Sequence, residues 1–313
     1  MSRVIVVGSY AAALVMDVER IPAEGETVMG RGYRQTHGGK GSNMACCAAR
    51  LGADARMMTK VGADAFGDGF EALLRREGAG PGWILRSRAL PTAVGMILST
   101  SRGTNAIAVD AGALSELAPA DLEPVRDALE AGDVVLSPLE IPLETALAAS
   151  RMARARGAVS VLNPAPAVDL RRQDLSTVDF LTPNETEARV CLGLPPGDGI
   201  ADRQAAEQLR SLGPRHVIIT RGGEGVLWSS PDGCFAIPAL RVNVLDTVGA
   251  GDAFNAGLAA GLSEGKEALE SILLGVAAAS LSTEKPETID SYPRRAEVEA
   301  RLPELRNKVR RLS

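Results

Sequence analysis

Residues 246–255 read Asp246-Thr247-Val248-Gly249-Ala250-Gly251-Asp252-Ala253-Phe254-Asn255. Three small residues precede an aspartate, and the run that follows is typical of a helix. Such a turn leaves backbone N–H groups uncovered at a helix N-terminus, where a phosphoryl group can approach them. Asp252 would then lie in the first helical turn and could accept the proton of a hydroxyl that attacks phosphorus. An Asp N-cap after a tight turn would give the same pattern.

Short β-branched runs alternate with helical stretches along most of the remaining chain. The predicted strands are 4–7, 55–61, 133–136, 159–162, 180–181 and 217–220. The predicted helices are 44–51, 66–76, 143–156, 203–212 and 253–262, with a last helix that begins near Pro293 and ends in the basic run 306–311. This alternation predicts an α/β fold with right-handed βαβ crossovers and a mostly parallel sheet.

Two stretches break the alternation. Residues 26–36 lack a helical period, and residues 93–100 and 105–110 flank a good hairpin turn at Ser101-Arg102-Gly103-Thr104. They predict a small β-sheet that either covers a site as a lid or pairs with a second subunit. We therefore expect an α/β domain of residues 1–10, 38–90 and 112–313 and a discontinuous β lid of residues 11–37 and 91–111.

Composition excludes several classes of protein. The 313 residues include 34 Lys and Arg against 39 Asp and Glu, a net charge of −5. This balance argues against nucleic-acid or anionic-membrane partners. The four cysteines form no C-x-x-C pair, so we expect buried thiols rather than a zinc site or disulfides. The N-terminus begins with a strand rather than a signal peptide, and the apolar runs are too short to span a membrane, which predicts a cytoplasmic location.

Common catalytic motifs are missing from the sequence. Gly41 follows Gly39-Lys40 where a Walker A motif needs Ser or Thr, and the 249–254 segment lacks the third Gly of a dinucleotide fingerprint. There is no G-x-S-x-G, and His37 and His216 are the only histidines. Two histidines are too few to favour a His-based catalytic triad or a His-rich metal site.

Three further segments carry polar groups beside glycines or strand ends. His37-Gly38-Gly39-Lys40-Gly41-Ser42-Asn43 enters a helix and offers Lys40 and Asn43 as donors to hydroxyls, or is a loop with a solvated lysine. In residues 182–187, Asn184 and Glu187 form a capping box or hold Mg²⁺ through waters. Residues 217–225 predict a buried strand that ends in a Gly-rich turn. This turn either lies at the ligand-binding edge of the sheet or is an ordinary connection between elements.

Together these segments resemble the ribokinase family of carbohydrate kinases. The resemblance covers nearly the whole chain in order, through residues 5–9, 25–28, 38–43, 163–167, 182–185 and 246–254. It implies a three-layer α/β/α sandwich with a small β-sheet lid. It also implies ATP-dependent phosphorylation of a hydroxymethyl group on a ribose-like sugar, and a homodimer formed through the lid.

The resemblance also implies roles for individual residues. Asp252 matches the catalytic base, and the anion hole matches Gly249, Ala250 and Gly251. The sugar-contacting positions match Gly39, Lys40, Asn43 and Glu140, together with Asp252. Nucleotide contacts match Asn184, Thr220, Gly222 and Gly225. The Mg²⁺–phosphate motif matches Asn184 and Glu187, and a monovalent cation such as K⁺ would take oxygens from Asp246 and Val248.

Two departures from the family pattern affect the expected substrate and cation. Ala11 and Ala13 stand where the family carries a sugar-binding Asn and Asp, which would weaken ribose binding by roughly 2–4.5 kcal/mol unless Tyr10 or Asp17 compensates. Such a site suits a substrate with fewer hydroxyls there, or with a bulkier apolar group. Pro286 stands near a usual glycine of the cation loop, which argues against potassium activation. The alternatives are a nucleoside kinase of the same family and a non-catalytic sugar- or nucleotide-binding protein.

Overall fold

A computed structural model describes residues 2–100 and 104–312. Its strands are β1 (Arg3–Val7), β2 (Ala11–Val18), β3 (Gly30–Gly38), β4 (Asp54–Gly62), β5 (Trp83–Ser87), β6 (Val94–Thr100), β7 (Asn105–Asp110), β8 (Val134–Pro138), β9 (Val159–Asn163), β10 (Phe180–Leu181), β11 (His216–Thr220), β12 (Val226–Ser230), β13 (Gly233–Ile237) and β14 (Arg310–Leu312). Its α-helices are α1 (Lys40–Arg50), α2 (Ala65–Glu77), α3 (Glu123–Ala128), α4 (Leu143–Ala155), α5 (Glu185–Cys191), α6 (Asp202–Ser211), α7 (Ala250–Ser263), α8 (Ala268–Ser282), α9 (Arg295–Arg301) and α10 (Pro303–Arg306).

The large sheet has the order β14-β13-β12-β11-β10-β9-β8-β1-β4-β5. The strands from β11 to β5 are parallel, and β12, β13 and β14 add antiparallel pairs at one edge. From β1 the chain proceeds outward to β4 and β5, and it then returns to fill the other side from β8 onward. This reversal between β1 and β8 creates a crevice at the carboxyl ends of the strands, where open α/β sheets bind ligands.

Helices cover both faces of the large sheet. On strand β1, Val4 and Val6 belong to a core shared with α1, α2, α7 and α8. Ile5 and Val7 point the other way, into a core shared with α3, α4, α5 and α6. A strand buried on both faces reads as a continuous apolar run, as Val4 to Val7 does. The predicted three-layer α/β/α fold class is confirmed.

Helices α7 and α8 pack with almost no side chain between them. A Cβ added to Gly257 would lie 2.7 Å from the Cα of Gly275, and one added to Gly275 would lie 2.6 Å from the Phe254 carbonyl oxygen. This close approach fixes the position of helix α7, whose first turn faces the crevice.

A separate sheet of four strands, the small sheet, has the order β3-β2-β6-β7. Strand β2 pairs parallel with β6 and antiparallel with β3, and β6 pairs antiparallel with β7. Of the expected hairpin turn at residues 101–104, residues 101–103 lie outside the described residues. The division of the chain into an α/β domain and a lid at the stated boundaries stays a prediction.

The C-terminal segment differs from the expected single helix. Two short helices, α9 and α10, are followed by β14, in which Arg310, Arg311 and Leu312 pair antiparallel with β13. The basic run therefore does not continue the helix, because its last residues complete the edge of the large sheet. Among the residues with a described conformation, no helix has the length and apolarity needed to cross a membrane.

Candidate active site

A cavity of about 1190 Å³ lies between the carboxyl edge of the large sheet and the small sheet. Most of the predicted site residues line it together. The cavity wall includes Gly39, Lys40, Asn43, Glu140, Glu187, Asp246, Val248, Gly249 and Asp252. These residues follow different strands, so the fold, rather than local sequence, brings them to one place.

The N-terminus of helix α7 faces this cavity and has no side-chain cap, although the Ala250 N–H donates a long 3.3 Å hydrogen bond to the Thr247 carbonyl oxygen. Its N-cap residue, Gly249, has φ 80° and no side chain to accept from the first turn. A Cβ at Gly249 would lie 2.5 Å from Thr288 Cγ2, so only glycine fits this turn. A Cβ at Gly251 would meet open space. The first turn can therefore receive an anion against Ala250 and Gly251.

Asp252 lies in that first turn and is only 4% exposed. The Asn43 side chain on helix α1 donates a 2.8 Å hydrogen bond from Nδ2 to Asp252 Oδ2. Burial raises the pKa of Asp252 to about 6, although Lys40 and Asn43 favour its ionised form. A carboxylate in a crevice whose pKa lies near neutral pH is suited to general base catalysis.

Lys40 supplies the positive charge opposite this carboxylate. Burial opposes the charge of its ammonium, but Asp252, Glu140 and Glu187 together outweigh burial and raise the pKa of Lys40. The ammonium therefore stays charged in the cavity, where it can neutralise a phosphoryl group or bind a substrate hydroxyl.

Glu140 caps helix α1, the second helix whose N-terminus faces the cavity. Its Oε2 accepts a 2.8 Å hydrogen bond from the backbone N–H of Lys40 and a short one from the Ser9 hydroxyl. Ser9 Oγ in turn accepts from the N–H of Gly41 at 3.2 Å. Glu140 thus holds the start of helix α1, where Gly39 has φ 96°. This structural role adds to the predicted sugar contact.

Asn184 and Glu187 form the capping box that the sequence offered as one alternative. Asn184 Oδ1 accepts from the N–H of Glu187 at 2.8 Å, and Glu187 Oε2 accepts from the N–H of Asn184 at 2.7 Å. Burial raises the pKa of Glu187, although this bond and Lys40 lower it. Because the cap uses Oε2, the half-buried carboxylate can still offer Oε1 to a cation.

The predicted nucleotide-contact residues lie along the same edge of the sheet. Thr220 ends β11 and bridges to Asn184, which follows β10. Gly222 and Gly225 form the turn into β12, with φ of 49° and 88°. A Cβ at Gly225 would lie 2.1 Å from the Ile237 carbonyl oxygen, so this glycine is required by the turn itself. Gly222 faces open space.

The predicted cation residues lie beside a loop that folds against helix α7. Asp246 Oδ1 accepts from the N–H of Val248 at 3.0 Å, and the Thr283 carbonyl accepts from the N–H groups of Leu245 and Asp246. Pro286 lines the cavity. Glu287 adopts φ 67°, a left-handed conformation that costs a non-glycine residue free energy.

Ala11 and Ala13 lie in the wall formed by the small sheet. Neither nearby polar side chain replaces the missing anchors. Tyr10 stacks on Phe70, and its hydroxyl pairs with His37 Nδ1 at 3.0 Å. Asp17 forms a salt bridge with Arg34 at 3.1 Å.

Sequence reasoning did not assign roles to two residues at this site. Ser9 links Glu140 to helix α1, and its position directly after a central strand was the available signal. Tyr292 is buried, and its hydroxyl lies 2.9 Å from where a Cβ of Gly249 would be. No local pattern marks Tyr292, because the contact depends on the fold of a segment that lies 43 residues after Gly249 in the chain.

The site combines a crevice in a mostly parallel sheet, a small sheet across it, two helix N-termini and a buried carboxylate. These features are typical of an enzyme that binds an anionic group. The chain belongs to the pfkB family of carbohydrate kinases, whose model matches residues 1–295. It is an ATP-dependent carbohydrate kinase.

Individual relatives agree with this assignment. The chain is 35% identical to a ribokinase of Haemophilus influenzae over 292 residues, covering 93% of this chain and 95% of the relative. It is also 35% identical to a deoxyribokinase of Salmonella typhi over 252 residues, covering 80% and 82%. A structure of Arabidopsis thaliana ribokinase complexed with ribose and ATP superposes with a TM-score of 0.86 at 30% identity, covering 96% and 99%.

Proposed function

We propose that this kinase transfers the γ-phosphoryl group of ATP to a hydroxymethyl group of a ribose-like sugar, with Asp252 as general base. The observation that supports the base is the placement of Asp252. Its carboxylate is buried in the first turn of an anion-binding helix, and Asn43 and Lys40 face it from helix α1. A merely structural cap would have no need of the open space at Gly251 or of an elevated pKa.

The chemical step needs only groups that this site can place. The hydroxyl oxygen forms a bond to the γ-phosphorus, and the bond from that phosphorus to the bridging oxygen breaks, releasing ADP. The hydroxyl proton passes to Asp252. The N–H groups at Ala250 and Gly251 and the Lys40 ammonium stabilise the charge that spreads over the phosphoryl oxygens.

The proposal also assigns residues to two cation sites, one for Mg²⁺ and one for K⁺. Mg²⁺ would be held through waters by Asn184 and Glu187, whose oxygens suit this ion, and would neutralise phosphate charge. The desolvated Glu187 carboxylate fits that role, because a nearby cation would offset the cost of its burial. A K⁺ ion would take oxygens of Asp246 and Val248, and Pro286 remains the departure that argues against potassium activation.

The experiment that tests the base is a coupled assay of ADP formation from ATP and ribose or deoxyribose, on the wild type and Asp252→Asn. General base catalysis contributes about 10²–10⁴-fold, so we expect kcat to fall by that factor with ATP binding unchanged. Asp68→Asn is the matched control, because Asp68 also lies in the first turn of a helix but is paired with Arg86 at the surface.

Folding is not expected to confound this comparison. The raised pKa of Asp252 means that its ionised form destabilises the folded state above pH 6. Replacement by neutral asparagine should therefore leave the melting temperature at pH 8 at or above that of the wild type. Turnover of Asp252→Asn within a few-fold of the wild type would remove Asp252 from the role of base.

The assembly and location are also part of the proposal. The outer face of the small sheet, opposite the cavity, carries Leu14, Met96 and Leu98, and Met96 is 62% exposed. We assign this face to a homodimer formed through the small sheet. The four cysteines are free and buried, which fits a cytoplasmic location.

A further inference from the structure

The inner face of the small sheet, which forms one wall of the cavity, is almost entirely apolar. Side chains alternate between the two faces of a strand, and Ala11, Ala13 and Val15 of β2 line the cavity. Their neighbours on β6 and β7 continue the same face with Gly95, Ile97, Ile107 and Val109.

The few polar side chains on this face either have a partner within the protein or stand alone among apolar neighbours. Arg34 on β3 lies beside Val15 and is paired with Asp17. Thr36, which lies beside Ala13, is the other polar side chain of β3 on this face. His37 also lines the cavity, but its Nδ1 pairs with the Tyr10 hydroxyl. A substrate that reaches the small sheet therefore meets one side-chain hydroxyl without a stated partner, Thr36, among methyl and branched aliphatic groups, with the paired Arg34 and His37 beside it.

The opposite end of the cavity is strongly polar. Asp252, Lys40, Asn43 and Glu140 lie at the helix N-termini and at the ends of strands β1 and β8. Asn43 Oδ1 is buried and has no partner among residues 2–100 and 104–312, so it can accept from a bound hydroxyl. The cavity thus offers hydrogen bonds around the reacting hydroxyl and an apolar surface at the far end.

We infer that the preferred acceptor is a deoxypentose, a sugar with its hydroxymethyl group at the reacting end and fewer hydroxyls at the end that faces Ala11 and Ala13. This inference rests on the proposed kinase function and names its substrate class. A hydroxyl pressed against the small sheet loses its water without gaining a partner, whereas a methylene in the same place gains apolar contact. One unpaired hydroxyl corresponds to discrimination on the order of 10-fold.

The first experiment compares kcat/KM for 2-deoxyribose, ribose and adenosine on the wild type. We expect 2-deoxyribose to exceed ribose on the order of 10-fold. A preference for ribose would overturn the inference while leaving the kinase function intact. A preference for adenosine would overturn it too, because the apolar wall would then receive a nucleobase.

The second experiment adds a polar partner to the wall. Ala13→Asp should raise kcat/KM for ribose relative to 2-deoxyribose on the order of 10-fold, and Ala13→Ser should shift the ratio in the same direction if the aspartate impairs folding. Ala131→Asp is the matched control, because Ala131 is exposed in the turn before β8, outside both the cavity lining and the small sheet. An equal change in the ratio from Ala131→Asp, or none from either Ala13 variant, would contradict the inference.

Failure of the proposed function would look different. If none of the acceptors is phosphorylated by a protein that binds ATP, the proposed ribose-like acceptor itself fails. Calorimetric binding of 2-deoxyribose and ribose to the ATP-loaded protein needs no turnover and still ranks the two sugars. Tighter binding of ribose would then overturn the substrate class independently.

Discussion

Asp252 combines burial with a need to ionise, and these two properties oppose each other. Its pKa of about 6 reflects burial first, reduced by Lys40 and Asn43 and raised again by Glu140 and Glu187. A base must be deprotonated before it accepts a proton, so the active fraction of the enzyme rises with pH. At pH 5 most Asp252 side chains are protonated, and at pH 7 most are ionised.

We therefore expect kcat/KM to fall below an inflection near pH 6, approaching a tenfold loss per pH unit on the acidic side. Steady-state assays between pH 5 and pH 8.5 measure this profile directly. Lys40→Met should move the inflection upward, because Lys40 favours the ionised carboxylate. A flat profile between pH 5 and pH 7 would rule out Asp252 as the group that titrates.

At the scale of one element, the start of helix α7 separates structural from functional glycines. Gly249 has φ 80° and no room for a Cβ beside Thr288, whereas Gly251 is helical and faces open space. Gly249→Ala should destabilise the fold by about 1–3 kcal/mol. Gly251→Ala should stabilise the helix by up to about 1 kcal/mol but lower kcat on the order of 100-fold, because a methyl group covers the anion-binding N–H groups.

Urea denaturation and ADP-release assays of the two variants distinguish these roles. The expected result is a crossed pattern, in which the more stable variant is the less active one. If Gly251→Ala kept wild-type activity, the anion would have to bind elsewhere than the first turn of α7.

The sequence predicted the regular elements better than the edge of the large sheet. Buried runs such as Val4–Val7 carry a clear apolar signal, so the parallel strands of the large sheet were predicted from local pattern, except β5 (Trp83–Ser87). Strands β12 and β13 form a local hairpin across Pro231-Asp232, a turn signal that was present but not used, whereas β14 pairs with residues of β13 about 80 positions away. A basic segment such as Arg310–Leu312 gives no local indication that it will complete a sheet.

The candidate site was predicted where chemistry and backbone shape coincide in one short segment. Residues 246–255 and 37–43 contain both the glycines and the polar groups, and both line the cavity. The dual role of Glu140 could not be read locally, because its partners Ser9 and Lys40 are 131 and 100 residues away. The assigned roles of these residues stay predictions until variants are assayed.

At the scale of the whole molecule, the outer face of the small sheet is the surface through which we propose that two copies associate. Exposed Met96 and its apolar neighbours would be covered by the same face of a second copy, as an isologous dimer requires. Met96→Glu should place a charge in that interface and shift the protein to monomers. Light scattering after size-exclusion chromatography measures the mass.

Val168→Glu serves as the control for this experiment, because Val168 is an exposed apolar residue outside the small sheet. It should leave the mass of the particle unchanged. A wild type that elutes as a monomer at micromolar concentration would contradict the dimer proposal, and so would a Met96→Glu variant that remains dimeric.

The small sheet is joined to the rest of the molecule by four chain crossings rather than one hinge. Strand β2 begins just after Ser9, β3 ends just before Lys40, β6 begins at Val94 and β7 ends at Asp110. Two of these crossings lead directly to Ser9 and Lys40, which line the cavity. We therefore expect a displacement of the sheet to shift the start of helix α1. On the proposed function, a sugar that contacts the far wall would also adjust the groups at its opposite end, and a ligand too short to reach the wall would not.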